Sequence, residues 1–389
     1  MTIRISRILL AVAFILLVFS SSAQTLIIQS AINMPQDTAV RSQLTDAFYG
    51  FLKQRDKPNK DNKYIQPESL PETSALIDEL KGAEKSTNRK DDNFYKCYLT
   101  NAVDRGNGSY LLQFSYIGVN ENAPVLRSSF RLIAYRNGNS FLFASPLKEY
   151  TANWKTKTMG NITFHFADKA EKADMKAYRD AVRFYDAKLK APDNPIEFYF
   201  GKSFTQIQQL LGVDYKLEFN GLKYDILGSF ENNINLSLSG WYDNQHHFDA
   251  HDLWHERLRN VVPSETINRP MDEGCAYLYG GSWGYTWLEI WAKFKKYAAA
   301  NPDADWLKLY TETTVFEGGD KPLRAGFVLN ALIVQQIEKQ KGFDAVMPLL
   351  TCGPREKGDA NYFKALQKIT GIDKAGFNAA MWKLIKEEK

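Results

Sequence analysis

The sequence predicts an α+β protein in two parts: a helix with an antiparallel sheet, then a mixed sheet leading into a long run of helices. Three observations carry this prediction. Residues 94–145 alternate apolar and polar side chains, the period of half-buried strands. Residues 168–190 repeat their apolar side chains at helical spacing, and from Ala250 onward Gly- and Pro-marked breaks separate one amphipathic stretch from the next.

The elements follow in order. MTIRISRILLAVAFILLVFSSSAQ has Arg4 and Arg7 before an apolar run from Ile8 to Phe19, then Ser21 and Ala23 at the −3 and −1 positions of a cleavage site. This is the layout of a secretory signal peptide over residues 1–23, so the chain is expected to be exported, periplasmic or secreted. A run of twelve apolar residues is short for a membrane span, and no second long run follows. Next, MPQDTAVRSQLTDAFYGFLKQRD reads as a helix capped by Asp37, with Val40, Leu44, Ala47, Phe48 and Phe51 on one face. YKCYL, SYLLQFSYIGV, VLRSSFRLIAY and SFLFAS read as four strands, the last two joined by an Asn137-Gly138 hairpin. TMGNITFHF is expected to be one further strand. The helix after it buries Met175, Tyr178, Val182, Tyr185 and Leu189. PIEFYF is a strand, SFTQIQQLLG a helix ended by Gly212, and NNINLSLS a strand. WLEIWAKFKKYAAA, AGFVLNALIVQQIEKQ, FDAVMPLL, NYFKALQKIT and AGFNAAMWKLIKEE are helical. A helix followed by a curved antiparallel sheet resembles the NTF2-like or cystatin-like shape, assigned to residues 24–154, with a second domain over 155–389.

Charge and cysteine content exclude several classes. The formal net charge is +4, of which Arg4 and Arg7 supply two, and the remaining charges are mixed along the chain. No stripe for nucleic acid and no polybasic membrane patch is visible, so neither partner is expected. Cys97, Cys275 and Cys352 are too few for a disulfide scaffold; a single bridge is compatible with export, its pair left open.

The chemistry concentrates in GWYDNQHHFDAHDLWHERLRN. Four of the five histidines, His246, His247, His251 and His255, fall within ten residues. On a helix, His251 and His255 lie one turn apart on the same face and can present both imidazoles to one ion. Two nitrogens do not complete a zinc site, so a third ligand must come from another element, with one position left for water. Glu273, in NRPMDEGCAYLYGG, follows beyond a turn marked by Pro263 and Pro270 and can be brought back by helix packing. The competing reading is a helix whose histidines are bonded to backbone or carboxylates. His246 and His247 read as loop residues on the approach.

HDLWH followed by MDEGCA resembles the gluzincin zinc peptidases, in particular the small peptidase MA-like members. The order of PIEFYFGKSFTQIQQLLG, NNINLSLS, HDLWH, MDEGCA and AGFVLNALIVQQIEKQKGFDAVMPLL is similar to that of this family across residues 155–389. The resemblance implies a zincin-like fold, zinc held by His251, His255 and Glu273, and a peptide or protein substrate. It also implies that residue 252 takes a proton from the zinc-bound water. Here that residue is Asp252 where the family has Glu, shorter by one methylene, about 1.5 Å. A general base must reach its water at roughly 2.6–3.2 Å, so the shortening bears directly on turnover. Glu256, about 100° round the helix from His255, is a poor substitute. The family's oxyanion-stabilising Tyr or His has no clear match; Tyr310, Arg324, Tyr277 and Tyr279 are candidates by neighbourhood. GSFEN resembles the G-x-M-E-N strand of zinc aminopeptidases, which implies that Glu231 binds a substrate amine. Three functions remain open: a zinc peptidase, a zinc-binding pseudoenzyme, and a metal-free binding protein that works through its front domain.

Overall fold

The computed structural model describes residues 26–169, 172–219, 224–241 and 248–388. The expected signal peptide and the pair His246 and His247 lie outside them. The protein is mixed α/β, 46% helix and 25% strand, so neither class dominates, and its sheets are curled.

The elements, leaving one-turn helices unnumbered, are β1 (Leu26–Ile28), α1 (Thr38–Lys53), α2 (Leu70–Leu80), β2 (Lys96–Asp104), β3 (Ser109–Asn120), β4 (Ala123–Asn137), β5 (Ser140–Ala144), β6 (Lys155–Met159) and β7 (Ile162–Phe166). There follow α3 (Lys172–Leu189), β8 (Ile196–Gly201), α4 (Phe204–Leu211), β9 (Val213–Lys216), β10 (Tyr224–Glu231) and β11 (Ile234–Trp241). The helical end comprises α5 (Ala250–Arg259), α6 (Arg269–Gly280), α7 (Trp287–Ala300) and α8 (Trp306–Thr311). It continues with β12 (Val315–Glu317), β13 (Leu323–Arg324), α9 (Ala325–Lys341), α10 (Ala360–Thr370) and α11 (Phe377–Glu387). Among the described residues no helix is long and apolar enough to cross a membrane.

Packing divides the chain into two compact units. The first contains residues 1–157, 163–168 and 195–243; the second contains 158–162, 169–194 and 244–389. Strands β8, β10 and β11, expected beyond residue 155 with the histidine helix, are thus grouped with the front of the chain. The reason is α2, which lies on β10, β11 and α4 and merges their apolar faces with those of α1 and the first sheet.

In the first unit one sheet runs β1-β2-β3-β4-β5, with β9 also pairing on β4, and a second runs β10-β11-β8-β7-β6. Asp37 caps α1 as expected, its Oδ1 accepting from Ala39 N at 2.8 Å and Val40 N at 3.2 Å. Phe48 and Phe51 of α1 pack on Phe143 of β5, with ring centroids 5.8 and 5.1 Å away. The expected single strand TMGNITFHF is instead the hairpin β6–β7, because Gly160 turns the chain at φ +69°. Helix α2 escapes the periodicity argument: Glu72, Thr73 and Ser74 are buried along with its leucines, so no polar face marks it.

In the second unit α3 buries Met175, Tyr178, Val182, Tyr185 and Leu189 as its pattern requires. Helix α5 packs against α3 and α6, and α6 packs along α9. All three cysteines are free thiols, and Cys275 is fully buried in α6.

Candidate metal centre

Two helices build the site. Asp249 caps α5, accepting from His251 N at 2.8 Å, and starts the helix so that its first two turns carry His251 and His255. Helix α6 starts with Pro at its first turn, where the missing N–H costs nothing, and carries Glu273 in its second turn. Glycines set the approach of the helices. A Cβ on Gly280 would lie 2.5 Å from His251 N and 2.6 Å from Ala250 C, so any larger residue would push the end of α6 off the start of α5. A Cβ on Gly274 would lie 2.5 Å from Asn330 Cβ and 3.0 Å from Ala331 N, so Gly274 sets the distance between α6 and α9.

The packing brings the three expected ligands together. His251, His255 and Glu273 each offer one ligand atom, all within 4.8 Å of one another, and form a group that can hold a metal ion. The Nε2 atoms of His251 and His255 are 3.2 Å apart, and His251 Nε2 lies 3.5 Å from Glu273 Oε2. Two nitrogens bound at about 2.05 Å to a tetrahedral zinc would be about 3.3 Å apart, so the spacing needs almost no adjustment.

The other ring nitrogens decide what faces the centre. His251 Nδ1 donates to Gly281 O at 2.8 Å, and His255 Nδ1 donates to Asp272 Oδ1 at 2.8 Å. With both Nδ1 atoms held as donors, the neutral rings turn two Nε2 lone pairs towards each other and towards a carboxylate. Three acceptors at this spacing repel one another unless a cation or a proton lies between them. Carboxylate- and carbonyl-held histidines are the usual support of metal ligands.

Asp272 also accepts from the buried Trp254 Nε1 at 3.0 Å, so one carboxylate orients a ligand and satisfies a buried donor. Its role, and that of Gly281 O, were missed by sequence reasoning; the adjacency of Asp272 to Glu273 was the only available signal. Replacing Asp272 by Ala is expected to weaken divalent-metal binding at this group about 10–100-fold. Asp272→Asn, which keeps an acceptor, should lose less; equal affinity of all three forms in a chelator competition titration would remove Asp272 from the site.

Electrostatics agree with the geometry. Burial pulls the His251 imidazole down, but hydrogen bonds to Glu273 and Gly281 O outweigh it, and its pKa is raised. Burial pushes Glu273 up, but the His251 hydrogen bond and the charges of His255, His251 and Arg269 outweigh it, and its pKa is lowered. Below the raised His251 pKa the metal-free group holds a proton, and a metal must displace it. Affinity for a divalent metal should fall as pH drops from 8 to 6; a flat affinity across that range would show that no proton competes for the group.

The remaining candidates fall as follows. Asp252 is exposed on the first turn of α5, and its charge acts on the His251 imidazole. Burial raises the Glu256 pKa, and its charged neighbours are Arg257 and Asp186. The Tyr277 ring lies 5.8 Å from that of His251, and its hydroxyl accepts from Arg324 N at 3.4 Å. The Arg324 side chain is exposed. Tyr279 donates to Glu338 at 2.6 Å, and Tyr310 is buried against Tyr362 and Phe377. Glu231 belongs to the first unit, at the end of β10, and burial raises its pKa. The fifth histidine, His165, also in the first unit, bonds Glu197 at 2.5 Å.

No protein-family model matches the chain, and no curated protein matches it either.

Proposed function

We propose that the chain is an exported zinc-dependent peptidase of the gluzincin kind, with a zincin-like domain around the histidine helix and an NTF2-like domain before it. One observation carries the reading: two Nε2 atoms 3.2 Å apart, each with its Nδ1 committed as a donor, beside a carboxylate oxygen at 3.5 Å. Zinc bound there would polarise a substrate carbonyl and lower the pKa of water towards about 7. Asp252 is the assigned base, since it follows His251 directly and is open to solvent. Asp272 and Gly281 O fix the imidazole tautomers, which keeps both Nε2 lone pairs available. The substrates under this reading are peptides or unfolded protein segments; nucleic acid and membrane insertion after signal cleavage have no part in it.

The short side chain of Asp252 favours a second reading, a pseudoenzyme that holds zinc and binds peptides or a cell-surface partner without turnover. Elemental analysis of protein purified without chelator, followed by mass-spectrometric profiling of a peptide library, tests both. The peptidase reading expects about one zinc per chain and cleavage that Asp252→Ala abolishes. Asp252→Glu should raise the rate, on the order of a hundredfold if reach is the limit. Zinc without cleavage in the native and Glu forms selects the second reading; no zinc excludes both.

A further inference from the structure

The chain leaves α6 at Gly280 and turns back at once in a tight hairpin. Ser282 N donates to Tyr285 O at 2.9 Å, and Tyr285 N donates to Ser282 O at 2.8 Å. The two residues at its tip, Trp283 and Gly284, have φ of +54° and +80°. Positive φ at both central positions is the backbone of a type I′ turn, which prefers Asn or Gly at the first of them. A bulky side chain there is an outlier. The indole is nevertheless 45% exposed, so burial does not compensate for the strain. Its Nε1 donates to Pro322 O at 3.0 Å, which fixes the direction of the ring. Strained backbone of this kind collects at ligand clamps and active sites.

The location of the hairpin gives the strain a use. Gly281, two residues before the indole, accepts from His251 Nδ1. Pro322, which holds the indole, is two residues before Arg324, whose N–H donates to the Tyr277 hydroxyl beside His251. His251, Gly281, Trp283, Pro322, Arg324 and Tyr277 are thus linked in a loop by three hydrogen bonds, one ring contact and two two-residue steps along the chain. Two residues span at most about 7 Å, so the Trp283 backbone stays within that distance of the carbonyl that orients His251.

We propose that Trp283 selects the substrate: its exposed indole takes a large apolar or aromatic side chain of the peptide whose bond lies over His251, His255 and Glu273. A fixed aromatic face stacks such a side chain with little loss of rotamer freedom. The proposal rests on the peptidase reading for its substrate class, but binding can test it without turnover.

The test uses the full zinc-loaded chain, Trp283→Asn, and the control Leu288→Ser, which removes another exposed apolar residue, 75% accessible, on the next helix. Matched peptides carrying Phe, Leu or Ala at one position are assayed for kcat and KM, and for binding by calorimetry. Native protein should prefer Phe and Leu over Ala by about tenfold or more. Trp283→Asn should lose that preference through KM, with kcat retained, while Leu288→Ser keeps it. Because Asn suits the turn, the melting temperature of Trp283→Asn should hold or rise. If no peptide is cleaved but binding preference is lost in Trp283→Asn, the clamp stands and the peptidase reading falls. Cleavage or binding whose preference survives Trp283→Asn overturns the clamp, and a lower melting temperature with that result marks the indole as a structural prop.

Discussion

Under the proposed zinc-peptidase reading, replacing His255 by Ala weakens zinc binding about a hundredfold or more and abolishes peptide cleavage, while the helices persist. Tight zinc binding by four ligands is worth about 10–16 kcal/mol, or about 3 kcal/mol for each ligand. Removing one ligand should then cost about two decades of affinity. The fold survives because Asp272 keeps its bond to Trp254 Nε1 and is not left as a bare buried carboxylate. Metal that binds only the folded chain stabilises it by mass action, so chelator should lower the unfolding midpoint of the native protein and leave that of His255→Ala unchanged. Equal zinc content and equal chelator response in both proteins would show that the imidazole pair holds no metal.

Removal of the Arg257 guanidinium should cost about 3–5 kcal/mol of stability, the typical loss when one partner of a buried ion pair is deleted. Arg257, on the same helix as the histidines, is 1% exposed and grips Asp186 of α3 through Nε at 2.7 Å and Nη2 at 2.9 Å. Burial already raises the Asp186 pKa despite the favourable guanidinium. Without Arg257 the buried carboxylate is better off protonated, whereas the unfolded chain ionises near the ordinary value of about 3.9. The folded state then binds more protons than the unfolded state, and stability rises as pH falls. The deficit of Arg257→Ala in urea unfolding should be smaller at pH 5 than at pH 8. The double variant Arg257→Met with Asp186→Leu should recover most of it. A deficit under 1 kcal/mol, or one independent of pH, would show that the pair does not tie α5 to α3 energetically.

The two experiments probe different layers of one site. His255 concerns what the helix presents, and Arg257 what holds the helix in place. Sequence was a good guide to the first layer. The i, i+4 spacing of His251 and His255 puts them on one face whatever surrounds the helix, and Asp249 caps its start. The core faces of α1 and α3, the Asn137-Gly138 hairpin, and α4 between Ser203 and Gly212 were legible for the same reason. Each is set by interactions within a few residues. Helix α2 was not legible, since eight of its eleven residues are buried, Glu72, Thr73 and Ser74 among them, which blurs the contrast that periodicity needs. The two-strand reading of residues 155–166 was missed because the sheet pairs around a Gly160 turn that a short apolar run conceals.

Local chemistry alone therefore determined that one helix of this protein carries two imidazoles on the same face, beside an exposed Asp252. Only the tertiary structure decided that Glu273 closes the group, that Asp272 and Gly281 O set the tautomers, and that Arg257 anchors the helix through Asp186. Those partners lie 17 to 71 positions away along the chain, and nothing within a few residues specifies them. The approach of α6 to α5 and to α9 depends on the missing side chains of Gly280 and Gly274, which let those helices come within backbone contact.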